Sequence, residues 1–215
     1  MTPSAAARSL ARKRLLIFDL DGTLVDSSPL HARAFSDAFA PHGIDVNYPT
    51  IAGLTTAAAV DRIASLAGLA LSADDRARLI ADKQARSVRL MQAELRALEG
   101  AVEFVRAAEG RFERALCTSA SRAGADAALA KVGLAGQFDT LISAEMVSRG
   151  KPDPEVFLMA LELHHMPADH ALVFEDAESG LAAARAAGIE VVLIASDGKG
   201  GSSWAPFLSA LDVGR

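Results

Sequence analysis

Asp19 and Asp21 stand two residues apart in Asp19-Leu20-Asp21-Gly22-Thr23, immediately after the apolar run Leu15–Phe18. Further along, Thr118-Ser119 follows Cys117, Lys151-Pro152 follows a short connection, and Glu175-Asp176 closes another apolar run. Carboxylates crowded at one point repel one another unless positive charge lies between them. A hard, oxygen-seeking cation such as Mg²⁺, with Lys151 beside it, supplies that charge. A hydroxyl, backbone N–H groups and a lysine around such a cation make a pocket for a phosphoryl group, where catalysis is mainly positioning and charge stabilisation. One carboxylate can attack phosphorus, and a second, two residues on, can protonate the leaving oxygen and later deprotonate water.

For these groups to meet, strands must end at one edge of a sheet. Short runs rich in Val, Ile, Leu and Phe at Leu15–Phe18, 115–117, 140–143, 171–174 and 191–194 alternate with helical stretches. That is the pattern of a parallel sheet covered on both faces. The fold expected is therefore α/β, a doubly wound, Rossmann-like parallel sheet whose carboxyl edge collects the polar residues. Asp153-Pro154 can start a helix carrying Val156, Phe157, Ala160 and Leu161 on one side, and Gly188 can stop the Ala-rich helix that follows Ser179.

The strand pattern lapses from about residue 28 to 95. Ser28-Pro29 opens a helix with Leu30, Ala34, Phe35, Ala38 and Phe39 on its apolar face, ended by Gly43, and Val88, Met91, Leu95 and Leu98 make another stripe. The division expected is a core of residues 1–27 plus 96–215 and an inserted, all-helical cap subdomain of residues 28–95. Residues 198–203 read as a loop before a short terminal helix holding Trp204, Phe207 and Leu211.

The 215 residues include 22 basic and 27 acidic side chains, a net charge of −5, which argues against a nucleic-acid partner. A single cysteine, Cys117, permits no internal disulfide and fits a reducing, cytoplasmic setting. In a strand, one residue before Thr118, it should point away from the site as a packed small hydrophobe. No apolar run approaches the ~18 residues of a membrane span. Arg8, Arg12, Lys13 and Arg14 loosely imitate the start of a signal peptide, but Asp19 and Asp21 cut the apolar stretch short, so residues 1–12 are expected as a solvated basic tail.

Asp19-Leu20-Asp21-Gly22-Thr23, Thr118, Lys151-Pro152 and the run from Glu175 to Gly180 resemble, in order, the four motifs of the haloacid dehalogenase-like hydrolases. The resemblance implies Asp19 as nucleophile, Asp21 as acid/base, and Thr118 and Lys151 on the phosphoryl group. It also implies Mg²⁺ held by Asp19, the Asp21 carbonyl and Asp176; Glu175 is expected either as a further metal ligand or as a group that orients a neighbour. An aspartate at position 21 points to phosphate esters and away from haloacids. The helical insertion resembles the β-phosphoglucomutase-like group, with bacterial fructose-1-phosphatases nearest. By that likeness Ser119, His31 and Lys83 meet the substrate. Thr56 stands where mutases carry an arginine for a second phosphate. The activity implied is a Mg²⁺-dependent phosphatase acting on a small phosphomonoester such as a sugar phosphate, in a monomer or weak dimer; a sugar-phosphate mutase is the alternative.

Overall fold

The computed structural model describes residues 1–194 and 203–212. Five strands, β1 (Leu15–Phe18), β2 (Glu113–Cys117), β3 (Thr140–Ile142), β4 (Ala171–Glu175) and β5 (Glu190–Leu193), pair in parallel in the order β3-β2-β1-β4-β5. Within β1, side chains alternate between two apolar layers, as the period of two requires. Leu16 and Phe18 face the helices α1 (Pro3–Leu10), α5 (Ala101–Ala107), α6 (Arg122–Lys131) and α9 (Ala205–Asp212). Leu15 and Ile17 face α7 (Glu155–Leu163) and α8 (Glu178–Ala186). This is the α/β, doubly wound arrangement expected. The registers Phe18↔Leu116 and Phe18↔Phe174 bring the carboxyl ends of the three central strands level.

On one face, Phe18, Phe104, Phe174, Trp204 and Phe207 form an aromatic cluster with neighbouring ring centroids 4.9–6.4 Å apart. Such pairs add about 0.5–1.5 kcal/mol each beyond area burial. The indole N–H of Trp204 donates to the carbonyl of Thr23 at 3.1 Å, tying α9 to the turn that carries Asp21.

The N-terminal segment departs from expectation. Residues 3–10 are helical, not a solvated tail: Thr2 accepts from Ala5 N, Pro3 sits in the first turn, and Ala6 and Leu10 are buried against the layer containing α9. Eight residues make a marginal helix in water, and burying Leu10, worth roughly 1.5–3 kcal/mol, helps to hold it. The loop expected at 198–203 lies, up to residue 202, outside the described residues; α9 is the terminal helix expected after it.

Between β1 and α5 lie α2 (Ser28–Phe39), α3 (Thr56–Ala67), α4 (Ala73–Glu94) and two single 3₁₀ turns. Phe35, Ala38 and Phe39 of α2, Ala59, Val60 and Ile63 of α3 and Leu79 of α4 share a separate apolar cluster. The buried face of α4 differs from the apolar stripe expected. It runs Leu79, Lys83, Ser87, Met91 at spacings of four, with Val88 only half-buried. Leu79 belongs to the cluster of the helical stretch and Met91 to the main core. The two polar residues between them face the site.

Candidate active site

Asp19 follows β1 directly, and its N–H donates to the Phe174 carbonyl at 3.0 Å, which holds it beside the end of β4. Lys151 reaches into the same place. Its ammonium donates to Asp19 Oδ1 at 2.6 Å, Glu175 Oε1 at 2.6 Å and the Cys117 carbonyl at 3.0 Å, so all three of its protons have acceptors. Burial opposes its charge, but the two carboxylates outweigh that and hold the lysine protonated. Glu175 Oε2 accepts the N–H groups of Asp176 and Ala177 at 2.8 and 2.9 Å.

Asp19, Glu175 and Asp176 each place a carboxylate oxygen within 4.8 Å of the others. Burial raises the Asp19 carboxyl well above its ordinary range, Lys151 opposes this, and Glu175, Asp176 and Asp21 add to it. Burial, then Glu175 and Asp21, push Asp176 up to about 7. One lysine thus faces more negative charge than it balances, and the set fits a hard divalent cation that takes carboxylate oxygens. The approach is tight. Gly22 has φ +88°, and a Cβ there would meet Asp176 Oδ2 at 2.0 Å. Only glycine suits both the backbone and the space.

Asp21 belongs to a second network. Ser27 Oγ donates to its Oδ1 at 2.5 Å, and His31 Nε2 lies 3.0 Å from the same oxygen. On the other side of the ring, Lys83 Nζ lies 3.0 Å from Nδ1, with Ser87 Oγ at 3.4 Å. An acceptor-only carboxylate at one nitrogen and a donor-only ammonium at the other assign the Nε2–H tautomer. Burial would raise Asp21, but His31, Ser27 and Lys83 bring it down to about 2. Burial draws Lys83 down to about 8, with only Asp21 resisting.

Asp19, Asp21, His31, Lys83, Glu175 and Asp176 line a cavity of about 40 Å³ with Tyr48, Gly53, Thr56, Ser119, Ala120 and Ala177. Of the residues singled out in the sequence, Asp19, Asp21, Lys151, Glu175 and Asp176 converge. Glu175, expected as a metal ligand or as an orienting group, has both oxygens engaged by Lys151 and the 176–177 backbone. Thr118 is 2% exposed, and its hydroxyl accepts from Ala120 N at 3.0 Å, shaping the turn. Ser119 lines the cavity and donates to the Gly53 carbonyl at 3.0 Å. His31 and Lys83 line it too, with their nitrogens turned to Asp21 and to each other. Cys117 is fully buried as a packed small hydrophobe, but in the layer that also holds Phe157, which Lys151 overlies, and burial pushes its thiol up to about 12.

Sequence reasoning missed Ser27, Tyr48 and Ser87. Ser27 reads as an ordinary residue before a helix, and Tyr48 sits in a 3₁₀ turn that leaves no periodic trace. Ser87 was within reach, because it lies one helical turn beyond Lys83. Gly53, with φ +78°, lets the chain touch the start of α8, where a Cβ would meet Ser179 Oγ at 2.4 Å.

Asp19, bridged by Lys151 at a central strand end, and Asp21 two residues on make one carboxylate-rich centre at the carboxyl edge of the sheet. The chain belongs to the haloacid dehalogenase-like hydrolases, whose pattern it matches over residues 13–188. It is 32% identical over 177 residues to fructose-1-phosphate phosphatase YqaB of Escherichia coli K12, a match spanning 82% of this chain and 94% of that protein. It is 30% identical over 191 residues to a phosphorylated carbohydrates phosphatase of Thermotoga maritima, spanning 86% and 88%. Among solved structures, CbbY from Rhodobacter sphaeroides in complex with phosphate superposes with a TM-score of 0.81 at 25% identity, over 93% of this chain and 99% of that one. Among the described residues no helix is long and apolar enough to cross a membrane.

Proposed function

We propose that this protein is a Mg²⁺-dependent phosphatase that hydrolyses a small sugar phosphomonoester through an aspartyl phosphate on Asp19. The observation that carries the reading is the Lys151 bridge between Asp19 and Glu175, set beside an Asp21 bonded elsewhere. Asp19 attacks phosphorus while the bond to the sugar oxygen breaks and Asp21 gives that oxygen a proton. Water then attacks phosphorus, Asp21 takes its proton, the bond to Asp19 breaks and phosphate leaves. Asp19, Asp176 and the Asp21 carbonyl would hold Mg²⁺, which would supply positive charge against the phosphoryl oxygens. Lys151 adds to that charge and keeps one Asp19 oxygen engaged, leaving the other to attack. Glu175 fixes Lys151 and the 176–177 backbone.

With Ser27 and His31 bonded to it, Asp21 is held ionised, the form that activates water. The negative charge of an arriving phosphomonoester raises Asp21 toward the protonated form that the first step needs. In this reading residues 28–95 act as a cap domain over a core of residues 1–27 plus 96–215. Thr118 and Ser119 shape the phosphoryl pocket, and His31 and Lys83 position Asp21.

The test is phosphate release from hexose, pentose and triose phosphates, with Mg²⁺ or EDTA, by wild type and Asp19→Asn. Release that needs metal and falls at least ~10³-fold in a folded Asp19→Asn is expected. Interconversion of phosphosugar isomers without free phosphate would replace the phosphatase with a mutase.

A further inference from the structure

The cavity at Asp19, about 40 Å³, suits a phosphoryl group and little more. It shares Thr56 and Ser119 with a second cavity of about 320 Å³, which opens along the seam between residues 55–57 and the loop 144–150. This adjoining space is where a leaving group bound through its phosphate would extend. Its walls carry neutral hydroxyls and an amide, from Thr55, Thr56, Gln84, Ser119, Ser121 and Ser148, and no lysine or arginine among the described residues. The arginines that adjoin the wall residues Ser121 and Ser148 in sequence are engaged elsewhere, Arg122 with Asp126 at 3.0 Å and Arg149 with Asp153 at 3.2 Å.

The one charged wall group is Glu145. Its two carboxylate oxygens accept the backbone N–H of Arg122, the first residue of α6, at 3.2 and 3.0 Å. A further N–H of that turn, from Gly124, is taken by Ser121 Oγ at 3.2 Å. The N-terminus of a helix attracts anions. Here it already holds one that belongs to the chain, and that charge borders the cavity.

We propose that this second cavity receives the neutral, hydroxyl-bearing end of the substrate, and that Glu145 makes the enzyme select against substrates whose far end carries a second phosphate. The proposal rests on the phosphatase reading and adds to it a residue, Glu145, that discriminates among phosphosugars by the charge of their far end.

The experiment compares kcat/KM for a ketohexose 1-phosphate and its 1,6-bisphosphate at fixed ionic strength, with an aryl phosphate alongside. Wild type prefers the monophosphate by several-fold, because Glu145 is exposed and its repulsion is partly screened. Glu145→Gln removes most of that preference, shifting the ratio toward the bisphosphate. Gln84→Lys, which adds a cation to the same wall and leaves the α6 N-terminus intact, shifts it the same way. Aryl phosphate turnover with a wild-type ratio near one, or a ratio unmoved in both variants, overturns the inference alone. No release from any of the three substrates overturns the phosphatase reading and the inference together.

Discussion

Lys151 and Lys83 are equally buried, 4% exposed each, and they behave in opposite ways. Lys151 is held protonated between two carboxylates that it touches at 2.6 Å. Lys83 meets a histidine nitrogen, the Thr56 hydroxyl at 3.4 Å and the face of Phe35 at 4.4 Å, and its pKa falls to about 8. Burial is common to both, so the partners decide. Strand ends supply carboxylates to the first lysine, and α2 and α3 supply weakly polar neighbours to the second. The strand-end half of the site accumulates negative charge and fits a cation. The helical half surrounds one carboxylate, Asp21, with hydrogen-bond donors.

The largest effect expected is from Lys151→Met. Removing the only cation among the described residues that touches Asp19 and Glu175 leaves buried charge uncompensated, costing about 3–5 kcal/mol in denaturant unfolding and abolishing phosphate release. Wild-type stability in that variant would dissolve the contrast between the two lysines.

Asp21→Asn tests the other half. With no proton to give, the variant should lose about 10²–10⁴-fold on a sugar phosphate and less on an activated aryl phosphate, whose leaving oxygen needs little help. Equal losses on both would remove Asp21 from acid catalysis.

Lys83→Met sharpens the comparison by its pH dependence. The folded-state pKa of about 8 lies below the ordinary 10.5, so between those values the unfolded chain binds more protons than the folded one. Wild-type stability therefore rises with pH across that window, and below pH 8 the cost of the buried charge is present in full. Lys83→Met lacks this rise, so wild type should gain on it by up to about 3 kcal/mol between pH 8 and 10.5. Parallel stability curves from denaturant unfolding would show that Lys83 does not titrate there.

The same contrast explains what could be read from the residues alone. Asp19, Glu175 and Asp176 come at or just after the end of an apolar run, where a parallel sheet exposes chemistry, so their convergence was legible. On α4 an apolar stripe was expected, but the buried row mixes Leu79 and Met91 with Lys83 and Ser87, because one face of this 22-residue helix passes over the site between two cores. Residues 1–12 misled for a related reason. Arg8, Arg12, Lys13 and Arg14 dominate the composition, while the two positions that anchor α1, Ala6 and Leu10, announce themselves only by a spacing of four. Tyr48 has no neighbours in pattern and is placed by tertiary packing against Phe35.

The chain holds a single tryptophan. Its indole N–H is bonded to the Thr23 carbonyl, two residues from Asp21, and its ring lies against the sheet. The intrinsic emission of this protein is accordingly a label-free gauge of the loop that carries Asp21. Any event that changes the field at that carbonyl shifts one fluorophore, with no second indole to dilute the signal.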